Sequence, residues 1–181
     1  MTVIGIVGLP GSGKSEAATV ARERGLSVVT MGDVIRAACR DRGLDPATHH
    51  GEVASALREE DGPGAIAERS LPMIEDALVD TETVVVEGIR SAVEVERFEE
   101  TFGDDFTLVS IEAPFEVREE RIDARGRDDT AAEPLQERDE RELGFGMGEA
   151  MDRADVVVEN AGSLESFRAE IRDLLAATDN R

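Results

Sequence analysis

The stretch GLPGSGKS, residues 8–15, contains the only lysine in a chain whose Lys and Arg total 20. Its spacing, G-x-x-x-x-G-K-[ST], suits the phosphates of a nucleoside triphosphate. Gly8, Gly11 and Gly13, with Pro10 and Ser12 among them, let the backbone close so that its N–H groups point inward. A helix starting behind the turn adds its positive end. Lys14 is a compact cation on a flexible stem, able to follow a phosphoryl group from donor to acceptor. The planar fork of an arginine would demand a fixed geometry instead. The Ser15 hydroxyl is placed to hold Mg²⁺. These seven residues are the cofactor-binding candidates, and Lys14 is also a catalytic one.

Arginine supplies the cations elsewhere. VTMGDVIR and VVVEGIRS each lead a strand into a turn, putting Arg36 and Arg90 just past the carboxyl edge of a parallel sheet. Open α/β folds bind ligands at that edge, and two bidentate forks aimed at one crevice suit an acceptor phosphate. Asp33 is placed to cap the helix after the second strand; it is also a catalytic candidate, near the acceptor or Mg²⁺. Glu87 ends a buried strand, where a carboxylate without a partner is costly; a magnesium-bound water, an arginine or a backbone N–H is the partner expected, with the Mg²⁺ neighbourhood preferred. Downstream, EERIDARGRDD brings Arg121, Arg125 and Arg127, and ERDERELG brings Arg138 and Arg141 on one helical face. Phosphoryl transfer builds charge on equatorial oxygens and must exclude water. A closing segment is therefore expected to bring Arg125 and Arg138 to the transferring group. His49 and His50 lack further ligands at metal spacing and read as surface residues. Gly144, Gly146 and Gly148 alternate after a helix, not a strand, so they read as a loop into a helix at Glu149 and not as a dinucleotide fingerprint.

These side chains need a scaffold. TVIGIVG (residues 2–8), SVVTM (27–31), TVVVEG (83–88), FTLVSIEA (106–113) and ADVVVEN (154–160) read as short apolar strands alternating with helices. SAVE, from Ser91, reads as a capping box, and Ser163 as the cap of the last helix. Between residues 44 and 64 the pattern weakens, and one short helix over 52–60 is expected between breakers. The alternation predicts an α/β fold of three layers, α/β/α, around a five-stranded parallel sheet. Residues 1–181 form one domain, with residues 32–80 as a helical insert for the acceptor and residues 121–142 as a short lid. Residues 44–64 contain no aromatic ring to stack on a base, which leaves the acceptor open.

The combination resembles the nucleoside monophosphate kinases, adenylate kinase above all, over nearly the whole chain. Gly32, Asp33, Val34, Ile35 and Arg36 match that family's monophosphate-binding segment. Glu87, Gly88, Ile89 and Arg90 approach its Asp-Gly-hydrophobic-Pro-Arg element, with Glu for Asp and the proline missing. The small archaeal adenylate-kinase-related proteins, also compared with dephospho-coenzyme A kinases, are similar more closely still. The resemblance implies a P-loop fold, ATP and Mg²⁺ as cofactors, and a small-molecule phosphate acceptor, nucleoside monophosphates first. It also implies Arg121 beside the donor base, Arg125 beside the donor phosphates, and Asn160 in a loop along the base. Two alternatives stay open. One is transfer to a hydroxyl, with Asp33 as base; the other is a nucleotide-dependent regulatory or assembly ATPase.

Composition narrows the partners. Asp and Glu total 41 against 20 basic residues, for a net charge of −21, which repels nucleic acid and anionic lipid. Such charge is tolerable where salt screens it, the Debye length being about 3 Å at 1 M. With lysine nearly absent, this fits a halophilic chain in a very salty cytoplasm, the expected location. No apolar run reaches transmembrane length, and no basic segment with an apolar run behind it opens the sequence. Trp and Tyr are absent and Phe occurs six times, so the core is aliphatic; the lone Cys39 reads as a packing residue. A monomer and a homodimer are both compatible with these features.

Overall fold

The computed structural model describes residues 1–125 and 133–178, with Arg125 described by its backbone alone. Strands β1 (Thr2–Val7), β2 (Ser27–Thr30), β3 (Thr83–Glu87), β4 (Phe106–Glu112) and β5 (Val156–Glu159) form one parallel sheet in the order β2-β3-β1-β4-β5. The first connections carry α1 (Lys14–Glu23), then α2 (Gly32–Asp41), α3 (Pro46–Asp61) and α4 (Ala65–Asp80), then α5 (Ala92–Phe102). Beyond β4 come α6 (Phe115–Arg125), α7 (Leu135–Gly144) and α8 (Met147–Asp152), and α9 (Leu164–Thr178) closes the described chain.

The continuous apolar runs of the central strands have a physical cause: both faces of the sheet are covered. Along β1, Val3 and Val7 enter one core with Met31, Leu57, Ile66 and Phe98. Ile4 and Ile6 enter the opposite core with Val20, Phe167 and Ile171. The three-layer α/β/α architecture and five-stranded parallel sheet are therefore as expected. β1 sends its chain toward β2, whereas β4 sends its chain toward β5. The departure in opposite directions leaves a crevice at their carboxyl ends, the general position for ligands in open α/β sheets.

Local chemistry departs from expectation at three helix starts. Asp33 does not cap α2; Met31 occupies the N-cap and the helix begins at Gly32, which puts Asp33 inside the first turn. The short helix expected over 52–60 is instead the full α3, because Asp45 caps it, accepting the Ala47 N–H at 3.0 Å, and Pro46 occupies its first turn. His49 and His50 are thereby helical. The glycine-rich stretch is not an extended loop, since α7 runs to Gly144 and α8 begins at Met147, before the expected Glu149. Two caps do form. Ser91 Oγ accepts the Glu94 N–H at 3.3 Å and Ser163 Oγ accepts the Ser166 N–H at 3.1 Å. The Glu94 carboxylate, however, turns back to the N–H of Arg90, at 2.8 Å, and not to that of Ser91.

No helix among the described residues is long and apolar enough to cross a membrane. Arginines thread the acidic surface: Arg153 reaches Glu96 and Glu99, both at 2.6 Å, and Arg42 reaches Glu60 at 2.7 Å. Exposed pairs of this kind contribute roughly 0.2–1 kcal/mol each, and 41 acids against 20 basic residues leave a large unneutralised excess. Screening of that excess is expected to raise the melting temperature by about 10 °C or more between 0.1 M and 2 M KCl. Thermal unfolding followed by circular dichroism checks this, and a flat or falling profile contradicts it.

Candidate active site

The glycine-rich turn leaves the buried end of β1 and enters α1 without a side-chain cap. Gly13 stands at the N-cap with φ +119°, and a β-carbon there would meet Asn160 Nδ2 at 2.5 Å. A β-carbon on Gly8, φ +151°, would meet the Ile111 carbonyl at 2.4 Å. No side chain fits at either position, which is why glycine stands there. Lys14 and Ser15, as first-turn residues, have no partner inside the helix for their N–H groups. Lys14 Nζ donates to the Gly8 carbonyl at 2.6 Å and to the Leu9 carbonyl at 3.1 Å, closing the turn on itself. Burial pulls the Lys14 pKa down to about 8; Glu142 opposes the shift, and Arg90, Arg118 and Arg138 add to it. Ser12 Oγ is buried with no hydrogen-bond partner among the described residues.

Two side chains lock this turn in place. Asn160 donates through Nδ2 to the Ser12 carbonyl at 2.8 Å, while its N–H bonds the Glu112 carbonyl at 2.7 Å. Its Oδ1 accepts from Arg121 at 3.1 Å. Arg118, absent from the sequence candidates, is 4% exposed. It donates to the carbonyls of Pro10 and Ala113, both at 3.1 Å, and forms a bidentate pair with Asp139 of α7, both bonds at 2.7 Å. The helical spacing of Arg118, Arg121 and Ile122 along α6 was the available signal. Its partners lie too far off in sequence to be read.

Two cavities open at the crevice, of about 370 and 270 Å³, and share a wall of Lys14, Ser15, Gly88 and Arg90. The first adds Pro10, Gly11, Ile122, Arg138 and Glu142. The second adds Thr30, Arg36, His50, Arg58 and Glu87. Arg90 stands between them, donating to Glu142 Oε1 at 2.5 Å. Arg36 lines the second cavity while donating twice to Asp33 Oδ1, at 2.9 and 2.6 Å. Glu87 Oε1 accepts from Thr30 Oγ1 at 2.7 Å and Arg22 at 3.3 Å, so of the expected partners an arginine is present, joined by a threonine.

Two expectations change. Asp33 lines neither cavity. Asp33 lines a groove between α2 and α4, with Arg40 and Arg69, and reaches the second cavity only through its Oδ1 contact with Arg36. His50 is not a bare surface residue, since the longer α3 carries it into the second cavity. There burial, then Arg36 and Arg90, hold its pKa below the usual histidine value. Arg58 of α3 also lines that cavity and was missed: the expected helix over 52–60 contained it, but its partners Glu94 and Phe145 lie far off in sequence. Gly126 and Arg127 and the side chain of Arg125 lie outside the described residues.

The site fits a triphosphate: a buried Ser12 hydroxyl without a partner among the described residues, helix-start N–H groups, and a buried ammonium resting on two carbonyls. Turn, strand order and crevice define a P-loop kinase-like nucleotide-binding fold. A family model described as AAA domain matches residues 7–136. A UPF0200 protein of Halobacterium salinarum is 63% identical over 178 residues, 98% of this chain and 94% of its own length. The chain belongs to the UPF0200 family. Among solved structures, TT1252 from Thermus thermophilus is similar with a TM-score of 0.67 at 23% identity, over 97% of both chains. Dephospho-CoA kinase from Campylobacter jejuni gives 0.62 at 15%, over 97% of this chain and 96% of its own. Shikimate kinase from Bacteroides thetaiotaomicron gives 0.59 at 14%, over 97% and 98%. At such identities the likeness is one of fold.

Replacing Arg118 with Met leaves Asp139 buried without its partner, at an expected cost of about 3–5 kcal/mol. Adding Asp139→Leu is expected to recover most of that loss; urea unfolding in 2 M KCl measures both. Lys14 supplies a pH signature. Between its folded pKa of about 8 and its ordinary 10.5, the unfolded chain holds a proton that the folded one lacks, so its contribution to stability rises with pH. A bound polyphosphate restores that proton. Calorimetry in buffers of different ionisation enthalpy is expected to show proton uptake on triphosphate binding at pH 9, little at pH 6.5, and none in Lys14→Met.

Proposed function

We propose that this protein is an ATP- and Mg²⁺-dependent phosphotransferase moving a γ-phosphoryl group to a small acceptor, with nucleoside monophosphates the first class to test. One observation carries the reading: the two cavities share Lys14, Ser15, Gly88 and Arg90 as a common wall. A donor in one and an acceptor in the other meet across a single ammonium and a single guanidinium. Such transfer needs little covalent help and depends on position and charge.

The roles follow from placement. Residues 8–15 hold the donor phosphates, Ser12 Oγ and the α1 N–H groups turning to them. Arg121 and Asn160 border the donor side, and Arg138 faces the transferring group. Residues 121–142 act as the lid, to which Arg125 belongs, and residues 32–80 as the acceptor insert. Arg36 and Arg90 hold the acceptor by exchanging Asp33 and Glu142 for its anionic oxygens. Magnesium, which keeps several waters and takes few protein ligands, would be held by Ser15, with Glu87 beside it, and would neutralise the donor charge. Lys14 leaves the Gly8 and Leu9 carbonyls for phosphoryl oxygens. The acidic surface suits a salty cytoplasm.

Transfer to a hydroxyl is the second reading, favoured by a neutral imidazole in the acceptor cavity. His50, not Asp33, would then take the hydroxyl proton. ADP release in 2 M KCl with each acceptor in turn decides among these readings. Lys14→Ala is expected to lower transfer by at least about 10²-fold with the fold intact. Equal rates in parent and variant overturn the assignment, and ADP release indifferent to every acceptor supports a hydrolytic switch instead.

A further inference from the structure

The acceptor side is longer than the pair Arg36 and Arg90 requires. A third cavity of about 160 Å³ lies between α3 and the α7–α8 turn, and joins the second through Ile35, His50, Arg58 and Arg90. Gly51, Ala54, Ser55, Arg141 and Phe145 complete it. Arg58 stands at the junction of the two lobes and belongs to neither the phosphate cradle nor the expected acceptor pair.

Its setting is built from behind. Glu94 is 1% exposed, and burial pushes its carboxyl pKa up. One of its oxygens accepts the Arg90 N–H at 2.8 Å; the other lies 3.6 Å from the Arg58 guanidinium. The Arg58 guanidinium carbon also stands 5.7 Å from the centre of the Phe145 ring. The acid and the ring fix where the guanidinium rests. At 3.6 Å its ion pair is much looser than that of Arg90 with Glu142, at 2.5 Å, or of Arg36 with Asp33, at 2.6 Å. A planar fork held in place yet loosely engaged has donors to offer an anion.

We infer that the acceptor carries a second anionic group, a carboxylate or a phosphate, which Arg58 binds in the lobe between α3 and the α7–α8 turn. Glu94 is the positioning residue for Arg58. This rests on the phosphotransferase reading and extends it. The group that receives the phosphoryl lies by Lys14 and Arg90, and the second anion lies one lobe away, beside Ser55 and His50. Acceptors anionic at both ends are thereby selected over those with a single anionic end.

The test is calorimetry on the full chain in 2 M KCl, with the cradle first filled by the non-hydrolysable analogue AMP-PNP and Mg²⁺. AMP offers one anionic group, adenosine 3′,5′-bisphosphate adds a second phosphate, and adenylosuccinate adds carboxylates. At least one doubly anionic probe is expected to bind about tenfold or more tightly than AMP, equivalent to about 1.4 kcal/mol. The probe that does so identifies the second group. Arg58→Gln is expected to bring that ratio close to one. Glu94→Gln, which keeps an acceptor for the Arg90 N–H but removes the charge behind Arg58, is expected to reduce it. If Arg58→Gln fails to fold, Arg58→Lys, which retains the charge and loses the fork, takes its place and is expected to lower the ratio. A parent that binds all three probes alike, or a preference that survives the Arg58 replacement, overturns the inference. Failure of AMP-PNP to bind at all strikes the phosphotransferase reading instead.

Discussion

One buried guanidinium ties the working parts of this molecule together. Arg118 bonds the carbonyl of Pro10 in the phosphate cradle, the carbonyl of Ala113 where β4 ends, and both carboxylate oxygens of Asp139 on α7. Burying a charge is costly unless its donors are met, and here the three groups that meet them come from three separate stretches of chain. The cradle, the sheet edge and the helix that carries Arg138 and Glu142 therefore cannot shift independently. Glu142 in turn holds Arg90, and Arg90 forms the wall between the cavities. Two charged hydrogen-bonded pairs, joined through α7, thus connect the phosphate cradle to the wall between the cavities.

That linkage explains what was and was not legible in the sequence. The strands, their parallel order class and the cradle declare themselves through local pattern: unbroken apolar runs, glycines at fixed offsets, and one lysine. Ser91 and Ser163 cap as their sequences suggest, because a cap is a contact over three residues. Asp33 misled for the same reason. Its residue type and setting suited an N-cap, but the cap fell two residues earlier, at Met31, and left Asp33 inside the first turn and off the cavity wall. Arg118, Arg58 and His50 were hidden because their meaning lies in contacts over long sequence separations. Arg118 meets Pro10 from 108 residues away, and His50 reaches the cavity only because Asp45 and Pro46 start α3 earlier than its weak pattern implied.

The distribution of charge reinforces the site. Overall the chain is strongly acidic, yet the crevice gathers Lys14, Arg36, Arg58, Arg90 and Arg138 into adjoining walls. In a low-dielectric recess, cations keep their attraction for anions while the exposed carboxylates are screened by salt. At high ionic strength the long-range field of the surface fades within a few ångströms. An anionic ligand is then drawn by the recess alone. Salt that screens the acidic surface thus also removes its opposition to any anion entering the recess.

Within the recess, the cations are held by internal partners. Lys14 rests on two carbonyls, Arg36 on Asp33, Arg90 on Glu142 and Arg58 on Glu94. A ligand oxygen that enters must displace one of these, so a single weak anion gains little over the contact it breaks. A polyphosphate would displace the Lys14 contacts and also meet the first α1 N–H groups and the Ser12 hydroxyl, which has no partner among the described residues. The arrangement discriminates by the number and placement of charges more than by their mere presence. The partners given up differ too. Asp33, half exposed, returns readily to water, whereas Glu94 lies buried and has no water to return to. Arg58 is therefore bound to remain near Glu94 while it engages a ligand, which makes it a fixed recognition point, and Arg36 and Arg90 the movable ones.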